Sequence, residues 1–371
     1  MLNREWFILL FILFFITACS ADKQPKLIEE QPNSSSETKN KDQSDITEIA
    51  EEQEVIAENL NVPWAIETAD DTFYLTERPG SIVKIENGQV ERQNVELEKE
   101  LATAAEAGLL GFVFDQDFSE SNLAYAYYTY KDDTGQFNRI VRLRLDDDTW
   151  TEEEVLLDKI PSGAYHHGGR LKIGPDHKLY ATAGDASDAE IAQQNESLGG
   201  KILRMNLDGS IPADNPFEDS YVYSLGHRNP QGLTWDKDGT LYASEHGNSA
   251  NDEVNKLEAG QNYGWPIIEG KEEQQGMITP LFTSGADTTW APSGIDYHDG
   301  KLYVATLRGE AVIEFDLETG DQKEVVSELG RVRDVLIKDN NLYIITNNTD
   351  GRGNPEEDDD ILYKVSLSDI D

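Results

Sequence analysis

Cysteine is almost missing from this 371-residue chain: Cys19 stands alone, so no disulfide can form within it and stability has to come from a packed core. Basic side chains are scarce. Lys and Arg number 31 against 72 Asp and Glu, a formal net charge of −41. That balance repels phosphates over most of the surface and argues against nucleic acid as a partner. It reads as solubility or a saline or alkaline milieu, with clustered oxygens for calcium as the sharper alternative. Long amphipathic helical patterns are scarce too, which argues against a helical bundle. The apolar run at 6–16 is shorter than the ~20 residues that a membrane helix needs.

What is present begins with that run. It ends in Ile16-Thr17-Ala18-Cys19, which resembles a lipoprotein signal box: small residues, then a cysteine to be lipidated. The expectation is a signal peptide at 1–18, lipidation at Cys19, and a mature protein outside the cytoplasm, held to the membrane by its lipid. Residues 19–53 are polar and acidic with almost no aromatics, the composition of a flexible tether. The folded, catalytic part is expected over 54–371.

One short pattern recurs through that part. A polar turn leads into an apolar residue and a tyrosine, then into small or β-branched residues. Its copies centre on Tyr74, Tyr125, Tyr180, Tyr242, Tyr303 and Tyr343. Five steps of about 54 residues separate the first from the last, near the period of propeller blades. Each copy alternates apolar with polar or small residues, as a half-buried strand does. The fold class predicted is all-β, a six-bladed β-propeller closed by a strand near 54–60 that completes the blade holding 361–365. A seven-bladed ring and a pair of sandwiches are the alternatives. The loops after these strands carry Glu77-Arg78, Gly184-Asp185, Glu245-His246-Gly247-Asn248, Arg308 and Asn347 to Arg352. Equivalent strands would open these loops at one mouth, where a rigid ring can hold polar groups in fixed positions. Recurrent arginine in so acidic a chain points to binding.

Two further segments carry chemistry. Leu225-Gly226-His227-Arg228-Asn229-Pro230-Gln231-Gly232 fixes a cation and an amide side by side in a stiff loop, suited to an oxyanion or an electron-poor carbonyl. Tyr165-His166-His167-Gly168-Gly169-Arg170, followed by Gly184-Asp185, offers a base, a carboxylate and a cation. Zinc is the competing reading of paired histidines, but no third ligand follows at a recognisable spacing.

GLLGFVFDQDF at 108–118, HHGGRLKIGPD at 166–176, LGGKILRMNLDGSIPADNPF at 198–217, GHRNPQGL at 226–233, SEHGNSANDEVN at 244–255 and NYGWP at 262–266 together resemble the soluble aldose dehydrogenases that depend on pyrroloquinoline quinone (PQQ), the glucose/sorbosone dehydrogenase-like propellers. The resemblance spans roughly residues 55–368. It implies oxidation of an aldose sugar to a lactone, with electrons passed to an external acceptor. His166 matches the base that takes the anomeric hydroxyl proton while hydride passes to the quinone C5, and Asp185 the carboxylate that orients it. Arg228 and Asn229 match the pair on the quinone oxygens. Arg331 and Arg333 match arginines on the cofactor carboxylates, Arg308 falls where a lysine can serve the same purpose, and Glu106 where a glutamine can touch the cofactor. Gly247 and Asn248 match backbone ligands to the calcium (Ca2+) that binds the cofactor. Asp252, Glu253 and Tyr263 lie where a second, structural calcium can sit. His167 is expected to be structural. Loops that shape the sugar pocket appear short, which implies broad aldose oxidation. The other readings are a non-catalytic propeller that binds a ligand or protein, and a calcium-dependent lactonase.

Overall fold

The computed structural model describes residues 53–370. The expected signal peptide, Cys19 and all but the last residue of the expected tether lie outside them. Among the described residues no helix is long and apolar enough to cross a membrane.

The tyrosine repeat marks the second strand of every blade. Tyr74 lies in Thr72–Glu77, Tyr125 in Leu123–Asp132, Tyr180 in Leu179–Ala183, Tyr242 in Leu241–Glu245, Tyr303 in Lys301–Thr306 and Tyr343 in Asn341–Thr346. Each pairs antiparallel with an inner strand on one side and a third strand on the other, and an outer strand completes four. The inner strands are Pro63–Ala69, Leu109–Phe114, Leu171–Ile173, Pro230–Trp235, Pro292–His298 and Val332–Lys338. Blades 1 to 6 therefore follow chain order, and the predicted six-bladed propeller is the observed fold. Closure is also as expected: Glu54–Ala57 is the outer strand of blade 6, with Glu54 opposite Lys364 and Val55 opposite Tyr363. Joining the first and last strands of the described residues in one sheet closes the ring.

Blades 1 and 2 are fused. Their outer strands run parallel, with Val95 opposite Trp150. Trp150 explains the join. It is fully buried, donates from Nε1 to Gln93 Oε1 at 2.8 Å, and meets Tyr74, Phe112, Phe114 and Phe118 at ring centroids of 5.2–6.4 Å. Such aromatic contacts add to the area they bury.

The axis of the ring is not an open pore. Arg170, just before blade 3, reaches Asp334 of blade 6 at 2.7 Å, and its guanidinium lies 4.3 Å from the Trp64 ring of blade 1. Asp334 also accepts the Ile66 amide at 3.0 Å. This bridge gives the mouth above it a floor.

Candidate active site

Two sets of loops meet at that mouth: those after the second strands, as the repeat predicted, and those leading from one blade into the inner strand of the next. Glu106, His166, Arg228, Trp290 and Arg331 come from the second set. A narrow recess that opens to solvent lies at this mouth, and of these residues Glu106 lines it. Trp64, Arg78, Glu106, His167, His246 and Arg333 are among the residues that line it.

His166 Nδ1 and Asp185 Oδ1 are 2.7 Å apart. Asp185 is 1% exposed, and its other oxygen accepts the Trp265 indole N–H at 2.9 Å. The carboxylate is thereby held from both sides. It fixes the tautomer with hydrogen on Nδ1 and leaves the Nε2 lone pair for a proton. Backbone crowding sets this geometry. His166 has φ +64°, and a Cβ at Gly184 would meet the His166 carbonyl at 2.1 Å. Glycine is required there for His166 to lie against the Asp185 turn.

Glu106 connects the base to blade 6. One oxygen accepts the His166 backbone N–H at 3.1 Å and the other pairs with Arg352 at 2.7 Å. Burial alone would raise its carboxyl; the hydrogen bond and charge of Arg352 reverse that and hold it at about 2. A carboxylate at an anion-binding mouth is thus neutralised by its own cation. Arg352 in turn lies 5.5 Å from the Tyr165 ring.

Arg228 lies 5.4 Å from the Trp265 ring, and its backbone N–H donates to Glu245. Its Nε is buried without a partner, and burial pulls its guanidinium below the usual arginine range. Asn229 is buried and accepts the Gly168 N–H at 3.0 Å. Behind this loop Glu245 also meets His227 Nδ1 at 2.8 Å, and His227 Nε2 meets Ser224 at 2.8 Å. Ser224 and His227 have no exposed surface, and this serine–histidine–carboxylate line braces the Arg228 loop. Lys201 braces the neighbouring turn. Its ammonium, which burial pulls down to about 7, donates to the carbonyls of Ile191, Ala192 and Gly199 at 2.7–3.0 Å. Gln193 of that turn holds the Trp265 carbonyl at 2.7 Å.

The two arginines of blade 6 differ. Arg333 is 5% exposed and meets only neutral groups: Asn347 Oδ1, Gln231 Oε1 at 2.9 Å and Ser293 Oγ. Burial lowers its guanidinium to about 9. Arg331, expected on a cofactor carboxylate, pairs with Asp350 at 2.7 Å and donates to the Leu307 carbonyl at 3.1 Å. Arg308 is exposed at the rim.

The acidic turn of blade 4 divides as well. Asp252, expected as a metal ligand, has its oxygens taken by N–H and O–H donors: Gly247 N at 2.8 Å, Thr289 Oγ1 at 2.8 Å, Trp290 N at 2.5 Å and Ala291 N at 2.8 Å. It fastens two loops together. Trp290 itself is a core residue, 9% exposed and packed against Phe315. Glu253 keeps acceptor capacity. Burial and the neighbouring Glu245 raise its carboxyl, and Asn255 Oδ1 beside it is buried without a donor. Tyr263 stacks on His227 at 4.9 Å, and Asn248 is exposed. Among the described residues no backbone hydrogen bond ends on the Gly247 or Asn248 carbonyl. Among the described residues no group of three or more His, Cys, Asp or Glu side chains is arranged to hold a metal, so a cation here would need backbone and amide oxygens as well.

His166, Arg228, Gly247, Arg331 and Arg333 are therefore gathered at one end of the ring. Sequence reasoning placed Arg78 and Arg352 on the mouth loops without a definite role, and it missed Trp265. NYGWP and Glu77-Arg78-Pro79-Gly80 were visible signals, but the partners that give them roles are far away in the chain.

A histidine held by a buried carboxylate, together with buried guanidiniums that have no carboxylate within ion-pair distance among the described residues, lies at one end of a six-bladed propeller. The chain belongs to the glucose/sorbosone dehydrogenase family, which it matches over residues 60–362. It is 36% identical to quinoprotein glucose dehydrogenase B of Acinetobacter calcoaceticus over 272 residues, 64% of this chain and 56% of that protein's length. It is 28% identical to aldose sugar dehydrogenase YliI of Escherichia coli K12 over 335 residues, 80% of this chain and 90% of that one. The PQQ-bound structure of an aldose sugar dehydrogenase from Streptomyces coelicolor superposes with a TM-score of 0.79 at 35% identity, over 84% of this chain and 96% of the other.

Proposed function

We propose that this protein oxidises aldose sugars at the anomeric carbon to lactones with PQQ as cofactor, His166 serving as general base. The observation that carries this reading is the convergence of the His166–Asp185 pair with guanidiniums that lack carboxylate partners. The cofactor carries three carboxylates, and the mouth fits such a group. Orphaned buried nitrogens face or adjoin the recess at Arg78 Nε, His167 Nε2, His246 Nε2 and Arg228 Nε. Buried polar groups of native proteins are normally paired, so this cluster is fitted to an anionic ligand with many acceptors.

When bound, the quinone accepts the hydride lost by the sugar. Arg228 and Asn229 would hold its oxygens, and Arg333 a carboxylate, with Arg308 at the rim. Calcium would bind through the Gly247 and Asn248 carbonyls together with cofactor oxygens. A second calcium is favoured at Glu253, Tyr263 and the unpartnered Asn255 oxygen. His166 Nε2 removes the proton of the anomeric hydroxyl. Asp185 stabilises the imidazolium that results, and Trp265 keeps Asp185 from rotating away. Electrons then leave to an external acceptor. The lipidated Cys19 and the tether would keep this activity outside the cytoplasm, at the membrane.

The test is to supply purified apo-protein with PQQ and calcium and follow aldose-dependent reduction of a dye. Turnover with several aldoses is the expected result. His166→Gln should lower kcat by about 10²–10⁴-fold while quinone binding persists. Binding without turnover on any aldose favours the non-catalytic propeller, and turnover that survives His166→Gln rejects the base.

A further inference from the structure

Among the described residues Lys201 is the lysine without exposed surface, and no carboxylate lies within ion-pair distance of it. It opens the third strand of blade 3, Lys201–Met205, and lies between Ala183 and Leu225 on the paired strands. Its ammonium is held by the carbonyls of Ile191, Ala192 and Gly199 alone. An ammonium has three donors and no lone pair, so the protonated form satisfies this cage completely. The turn closes tightly on it: a Cβ on Gly199 would meet Ile191 at 2.5 Å, and one on Gly200 would meet Ala192 at 2.6 Å.

The segment that Lys201 holds touches every loop around the base. The Ala192 carbonyl also accepts the Gly226 N–H at 3.0 Å, where the Arg228 loop begins. Gly200 donates to the Gly184 carbonyl at 2.9 Å, beside Asp185, and accepts the His227 N–H at 3.2 Å. Gln193, which ends the short turn Ala189–Gln193, donates to Asn262 Oδ1 at 3.0 Å as well as to the Trp265 carbonyl. The Trp265 indole meets Asp185, and Asp185 meets His166.

We infer that Lys201 is a positioning residue for His166: its ammonium ties the Asp185 turn, the Arg228 loop and the Trp265 loop into one unit, which slackens when that ammonium loses its proton. This rests on the proposed dehydrogenase function. A neutral amine has two N–H groups for three carbonyls, and its lone pair is left facing oxygen. Burial pulls this ammonium down to about 7, with the charge of Glu196 acting to raise it. Asp188 and Glu190 of the turn are exposed. The titratable groups of the adjoining loops are already paired, His227 with Glu245, and Asp185 with His166 and Trp265. The unit is therefore tight below about pH 7 and loosens above it.

The test is stopped-flow reduction of the protein loaded with PQQ and calcium by a saturating aldose, from pH 5.5 to 9. It is paired with amide hydrogen exchange of the apo-protein over the same range. In wild type the rate should rise as His166 loses its proton, then fall about tenfold as Lys201 loses its own. Exchange at 189–200 and 262–266, corrected for the intrinsic rate, should lose protection across that fall, while the strands of blade 5 keep theirs. Lys201→Met should start about tenfold lower at pH 6.5 and show no alkaline fall, with a larger loss in rate than in quinone affinity. Gln193→Ala cuts only the Trp265 link, so it should lower the rate less and keep the alkaline fall. The wild-type exchange profile decides whether or not the lysine variant folds. Protection at 189–200 that stays level from pH 6 to 9, or an alkaline fall that survives in Lys201→Met, would overturn the inference. A protein that takes up no quinone rejects the dehydrogenase reading, and the positioning role with it, even where the exchange profile holds.

Discussion

Arg139 in blade 2 and Arg333 at the mouth are equally hidden, 3% and 5% exposed, yet they are treated in opposite ways. Arg139 has Glu98, Glu152 and Asp158 within 3.0–3.4 Å and lies over the Tyr128 and Tyr130 rings. Burial would lower its guanidinium, but these partners outweigh that and raise it. Arg333 has amides and a hydroxyl, and burial wins. Within one chain, then, one buried arginine is paired with three carboxylates and another with none, and on the proposed function the second is kept for a ligand. The excess acid of the sequence makes the second arrangement informative.

The comparison breaks most visibly under truncation. Arg139→Met leaves the nearly buried Glu152 without its cation and should cost about 3–5 kcal/mol of unfolding free energy. Arg333→Met in the apo-protein should cost less than about 1 kcal/mol, or stabilise, while weakening quinone binding. Urea unfolding of both variants at one pH reads the difference, and equal losses would erase the distinction.

Acid sharpens it further. His167 is 2% exposed, its Nε2 has no partner, and burial lowers it to about 4 from an ordinary 6.5. As pH falls below 6.5 the unfolded chain takes up a proton that the native state refuses until about 4. Stability from this residue is fully present above 6.5 and declines across that window by up to about 3 kcal/mol. His167→Gln should flatten that part of the curve, measured as urea midpoints at pH 7, 5.5 and 4.

The smallest effect concerns support of the base. Trp265→Phe removes the indole donor to Asp185 but keeps an aromatic face near Arg228. It should lower kcat about tenfold with little change in quinone affinity, since the lost hydrogen bond orients a carboxylate and does not carry charge. Stopped-flow reduction of the loaded protein would show it.

The tyrosine repeat made the fold legible because every second strand faces the same environment on both sides, so each uses the same residues. Closure was legible because the N-terminal strand has to complete a three-stranded blade. The loops entering each blade share no pattern; Glu106, His166 and Arg331 stood out through resemblance and not through repetition. Motifs located the base and the Arg228–Asn229 pair, since both lie within a few residues of one another or of a marked turn. Charge pairing was not legible. Asp350 reaches Arg331 across 19 residues, and Arg352 reaches Glu106 across 246. Which arginines are free depends on those distant partners. The same holds for Asp252, one of whose oxygens accepts the backbone N–H groups of Trp290 and Ala291, far from its own turn.

On the proposed function the mouth keeps cations for a polyanionic cofactor. Titrating the calcium-loaded apo-protein with PQQ at rising salt tests it most directly. The account predicts one-to-one uptake that weakens steadily as salt screens the guanidiniums, with aldose-dependent bleaching of the dye once the cofactor is in place. Failure to bind at low salt, or affinity indifferent to salt and to the loss of both Arg78 and Arg333, would contradict it.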